Sequence, residues 1–275
     1  MPTGLQHFKS VFADDVILTP QVLLHETGHN RNLGHTWEGT EEYQDNSSVM
    51  GSLWRTTVHE CYNGLDYAHL GWMSDRSVQV DVSQGPQVYD LAFFGDYPQT
   101  DETQPTILQV EGLFLQYNRR KGINRETREH ADKLVVHQLK RPSTTSEGSQ
   151  LVVALDDADH RDWVSGDVRL HVCGKIDGGA ASDVDVLQVS VGGVYDNLEL
   201  ACLQHSVQSR IDANPAASKP LVIVMPTSRP GESTRSTGLS TTNSVTNPPC
   251  IQTGIGWADN IFRRVLPPCE GDHDA

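Results

Sequence analysis

The sequence predicts an α+β protein, in which a short helical region carries the chemistry and a longer region is built of β-strands. Two observations lead there. Val22, Leu23 and Leu24 run directly into His25-Glu26-Thr27-Gly28-His29, whose histidines at i and i+4 share one helix face. After Asp75 the pattern changes to period-two alternation and short apolar runs between turn clusters.

Taken in order, Thr19-Pro20 reads as a helix start, with threonine as N-cap and proline at the first helical position. Asn32-Leu33-Gly34 reads as the stop, since asparagine and glycine tolerate the left-handed conformation that turns a chain out of a helix. A loop, a turn at Asp45–Gly51 and a second helix fill the rest of residues 1–75, with Trp54 and Trp72 expected to pack that helix. Candidate strands follow at Ser77–Val82, Gln87–Leu91, Thr106–Tyr117, Lys133–Leu139, Gln150–Leu155, Val168–Cys173 and Val184–Val191. Turn clusters such as 141–144 and 175–179 separate them, and the spacing suggests an antiparallel sandwich over residues 76–215. Residues 216–275 read as a tail: 227–249 is rich in Ser, Thr, Pro and Gly and suits a flexible linker, while 251–266, with Trp257 and Phe262, is apolar enough to dock.

A net charge of −15 and a pI near 5.1 argue against nucleic acid or an anionic membrane as partner. No stretch has the apolar length of a membrane span, and residues 1–24 lack the basic start and apolar run of a secretion signal. The cysteines at 61, 173, 202, 250 and 269 show no metal-binding spacing. They are either buried thiols or, in an oxidising compartment, Cys173–Cys202 and Cys250–Cys269 bridges that leave Cys61 unpaired. Asp156-Asp157-Ala158-Asp159 lacks the spacing and glycine of an EF-hand loop and reads as a solvated turn.

The chemistry is concentrated in residues 25–35. His25 and His29 can direct both imidazoles at one metal ion, and His35, six residues on, can return as a third ligand if the helix ends between them. Three nitrogen donors and an open position suit a catalytic Zn2+ ion; a structural zinc would be closed by a fourth protein ligand, and no cysteine lies nearby. Glu26 stands beside the ligands, placed to act on a water held by the ion. The alternative is a surface helix with solvated histidines, which the third histidine makes remote. His59, His69, His130, His137, His160 and His171 are isolated in sequence and read as structural or exposed.

Residues 25–35 resemble the metzincin metalloprotease motif His-Glu-x-x-His-x-x-Gly-x-x-His, with Asn32 where glycine is usual. Asp45-Asn46-Ser47-Ser48-Val49-Met50-Gly51 is similar to the metzincin methionine turn, with Met50 as its methionine. Within metzincins the likeness is to the gametolysin family, carried by His29-Asn30, Leu33-Gly34-His35, Ser48–Gly51, Cys61–Gly64, Leu70-Gly71-Trp72, Gln116–Arg119 and Lys121–Asn124. The resemblance implies the C-terminal part of a metzincin catalytic domain (zinc helix, methionine turn, second helix) followed by a β-rich, sandwich-like domain. It also implies a secreted zinc endopeptidase acting on extracellular proteins, cell-wall glycoproteins among them. Metzincin domains place a sheet and a long helix before the zinc helix, whereas 24 residues precede His25 here. An N-terminally truncated, non-catalytic remnant, whose β domain acts as a binding module, is therefore the alternative expectation.

Overall fold

The computed structural model describes residues 20–51, 59–140, 147–176 and 184–213. Thr19, Trp54, the turn at 141–144, most of that at 175–179, Cys250, Cys269 and the whole of the expected tail lie outside these residues.

Helix α1 (Pro20–Asn30) begins at the expected proline and ends where Asn32 takes a left-handed φ of 68°. The chain does not continue as a loop: it enters strand β1 (Leu33–Glu38), which pairs with the two-residue β2 (Glu41–Glu42). The segment Asp45–Gly51 is almost wholly buried. It leads on to α2 (Gly64–Leu70), capped by Asn63, whose side chain accepts from the Asp66 N–H, and closed by Gly71 at φ 70°.

Strands β3 (Ser77–Gln79), β4 (Gln87–Ala92), β5 (Ile107–Val110), β6 (Leu113–Asn118), β7 (Lys133–Lys140), β8 (Glu147–Leu155), β9 (Asp162–Ser165), β10 (Val168–Ile176) and β11 (Val186–Gly193) follow, then helix α3 (Leu198–Ala213). The run Thr106–Tyr117 is two strands rather than one, because Glu111 and Gly112 take φ of 47° and 80° and fold it into a tight turn. α3 is a helix the strand reading passed over. Its start is set by Asn197, which accepts from the Leu200 N–H, and its buried Leu198, Ala201 and Cys202 lie at helical spacing. β9 also escaped that reading, being short, exposed and at a sheet edge.

The molecule is mixed α+β with mostly sheet. One sheet has seven strands in the order β2-β1-β8-β7-β6-β5-β3, and the other four in the order β4-β11-β10-β9. The pairing is not purely antiparallel, since β1 runs parallel to β8 and β3 parallel to β5. The larger sheet takes strands from both sides of residue 75. Leu108, Leu115 and Val136 of the larger sheet belong to one apolar core with Leu91, Val172 and Leu187 of the smaller. Tyr67 of α2 and Phe93 join the same core.

β10 is tied to α3 by a disulfide between Cys173 and Cys202, while Cys61 is a buried free thiol. The bridge closes a loop of 29 residues, which by loop-closure entropy stabilises the fold by about 3–4 kcal/mol. Cys202→Ala is therefore expected to lower the unfolding free energy by about that amount. Denaturant titration of the parent and the variant checks this, and unchanged midpoints would mean that α3 docks by packing alone.

Candidate metal centre

α1 directs His25 and His29 to one side, and β1 supplies His35 across from them. The ring centroids of His25 and His29 are 4.7 Å apart, those of His29 and His35 also 4.7 Å, and those of His25 and His35 5.4 Å. The three histidines can offer nitrogen atoms that all lie within 4.8 Å of one another. His35 reaches this position through a local irregularity in β1. Between Leu33 and Thr36 the parallel register with β8 slips, leaving an extra residue on β1, and such a bulge re-aims a side chain. Gly148 of β8 faces the His35 carbonyl so closely that a Cβ there would collide with it.

Each imidazole is held by its Nδ1. His25 Nδ1 lies 2.8 Å from the Val49 carbonyl, His29 Nδ1 2.9 Å from the Leu33 carbonyl and His35 Nδ1 2.6 Å from a Glu42 carboxylate oxygen. Carbonyl and carboxylate oxygens only accept, so all three Nδ1 atoms carry a proton, and in the neutral ring each Nε2 presents a bare lone pair. The 3.0 Å approach of His35 Nε2 to His29 Nε2 is then no hydrogen bond but two lone pairs facing each other. A cation at that point turns the repulsion into coordination, so this donor set fits a divalent metal ion.

Burial pushes the His25 pKa down to about 4, and the neighbouring His29 and His35 add to the effect against the Val49 bond. His35 is lowered chiefly by burial as well. His25 and His35 are thus neutral near pH 7, the form that binds metal.

Met50 is fully buried beneath this group. A Cβ at Gly28 would come within 2.5 Å of Met50 Sδ and 3.2 Å of the Tyr62 ring, so glycine between the two helix histidines is what lets α1 settle on Met50. Glu26 is half-buried, and its carboxylate has no hydrogen bond among the described residues.

The sequence reading missed four groups. Glu42 orients His35, and the Tyr43 ring lies 3.8 Å from that of His35 with a left-handed φ of 68°. Asp45 and His137 form a wholly buried pair at 2.9 Å. None could be read from spacing, because each depends on how β1, β2 and β7 come together. A second grouping, Glu38, Glu129 and His130, also brings possible ligand atoms within 4.8 Å, but it is more exposed. Asp156 accepts three backbone N–H bonds, from Ala158, Asp159 and His160, and forms a turn.

These shifts set a pH dependence with opposed parts. His25 has a folded pKa of about 4 against 6.5 for the free side chain, so the unfolded chain binds the extra proton between those values and stability falls as pH drops through them. Burial raises Glu60 and Asp66 to about 7, so their contribution runs the other way, lost as pH rises from about 4 to 7. Chelator-treated parent and His25→Gln are compared by denaturant titration from pH 4 to 7. The parent-minus-variant difference should grow by roughly 2–3 kcal/mol as pH rises through the window. A flat difference would mean that His25 is not shielded from water.

No curated protein and no solved structure matches the chain. Residues 5–91, which hold the three histidines, Glu26 and Met50, match the family described as gametolysin peptidase M11, a match that supports a metallopeptidase-type function. Over that stretch the chain is similar to gametolysin-family proteases.

Proposed function

We propose that His25, His29 and His35 hold a zinc ion through their Nε2 atoms and that the chain is a zinc-dependent endopeptidase with Glu26 as its proton-transfer group. The observation that carries this reading is the anchoring of all three Nδ1 atoms, which leaves three Nε2 atoms free to converge on one ion, with no carboxylate or thiol grouped with them among the described residues. In this reading α1, β1, the Asp45–Gly51 turn and α2 form the C-terminal part of a metzincin catalytic domain.

When bound, the ion lowers the pKa of a coordinated water and polarises the carbonyl to be attacked. The side chains do the rest. Three neutral ligands leave the positive charge of the site undiminished. Glu26, next to His25 on α1, takes a proton on one side of the reaction and delivers it to the departing amine on the other. Met50 supports the floor through its contact with Gly28 without bonding to the ion.

The substrates are proteins, and by family likeness they include cell-wall glycoproteins outside the cell. The Cys173–Cys202 disulfide supports an oxidising, extracellular setting.

Glu26→Gln is expected to reduce casein cleavage about 100- to 10,000-fold while one zinc per chain is retained. His29→Ala is expected to lose the zinc itself. Elemental analysis together with a chelator-sensitive proteolysis assay reads both. Full activity in Glu26→Gln would overturn the assignment of the base. Bound zinc without proteolysis in the parent would favour the remnant with a binding role.

A further inference from the structure

His137 lies far from the metal ligands in sequence, yet it is fully buried and bonds at 2.9 Å to Asp45, the first residue of the methionine turn. Its other ring nitrogen has no hydrogen-bond partner among the described residues, so Asp45 is the polar contact that accounts for a histidine here. The ladder between β7 and β8 slips between Val136 and His137, with the extra residue on β8. The bulge bends β8 where it pairs with His137.

From Asp45 the ties lead to the metal ligands. Its carboxylate accepts from the Ser47 N–H at 3.0 Å and hydroxyl at 2.6 Å, and its carbonyl accepts from the Thr36 hydroxyl at 2.8 Å. Thr36, which follows His35, donates its N–H to the Met50 carbonyl at 3.1 Å. The carbonyl of Val49 then holds the His25 ring. The turn therefore touches the ligands from two directions, and its first residue is pinned to the centre of the larger sheet by a buried hydrogen bond.

We infer that His137 is a positioning residue for the metal centre: through Asp45 it fixes the methionine turn, and the turn fixes the rings of His25 and His35. This rests on the metal-site reading above. Groups that orient ligands typically change metal affinity about 10- to 100-fold when removed. His137 acts one step further out, so the lower end applies.

The test is competition of the full chain against a chromophoric chelator for Zn2+, together with the visible spectrum of the Co2+ form. His137→Leu is expected to weaken zinc about 10-fold and to shift the Co2+ bands. His137→Gln keeps an N–H for Asp45 and is expected to restore both. Val172→Ala, in the other sheet, lowers stability without touching the turn and should leave both unchanged. Should His137→Leu not fold, Thr36→Val removes the hydroxyl tie to Asp45 at nearly constant volume and should weaken zinc about threefold. Parent-like affinity and spectrum in His137→Leu, or in Thr36→Val where it stands in, would overturn the inference while leaving the metal site intact. Equal losses in Val172→Ala would overturn it too. No zinc in the parent would remove the metal-site reading and this inference together.

Discussion

The convergence of the three histidines depends on the parallel pairing of β1 with β8. α1 can present two histidines by itself, because helical periodicity puts positions i and i+4 on one face. The third histidine needs a partner strand from far along the chain, and β8 provides it. The same pairing forms the bulge that aims His35, while the hairpin of β1 with β2 on its other side brings Glu42 to the ring. A local motif thus becomes a three-dimensional site only within the larger sheet.

The polar groups beneath the site are costly to bury, and the fold meets that cost with bonds. Burial works to raise the Asp45 pKa, but His137 and Ser47 outweigh it and hold the carboxyl below its ordinary value. Asp66 lacks a direct cationic bond and is pushed up to about 7 by burial, although His137 lies near enough to oppose the rise. Removing one partner of a buried hydrogen bond typically costs about 1–3 kcal/mol, more than replacing both partners together. Such a pair suits a position where geometry matters more than bulk stability.

The sequence made α1, its left-handed exit at Asn32 and most of the strands legible, because each leaves a local signature: helical spacing, a turn residue, period-two alternation. The grouping of His25, His29 and His35 was foreseeable for the same reason. β1 was not, since Asn32-Leu33-Gly34 reads as a helix stop and the residues after it become strand only by pairing with β8. The tight turn at Glu111-Gly112 sits inside a stretch that reads as one strand, and α3 fully buries Leu198, Ala201 and Cys202 alone, near its start, which leaves a weak helical signature. His137 looked like any isolated histidine, because its partner is 92 positions away.

The contact between Gly28 and Met50 also bears on chemical damage. The sulfur lies where even one extra carbon on Gly28 would not fit, and Met50 has no exposed surface. Conversion to the sulfoxide adds a polar oxygen to that sulfur. On the side facing Gly28 there is no room for it while α1 rests on the turn, and an oxidant meets Met50 more readily when the helix lifts away. The oxidised side chain would then keep the helix from settling back, and a brief opening would become a lasting one. Sulfoxide at Met50 would thus record how often the floor of the site comes apart.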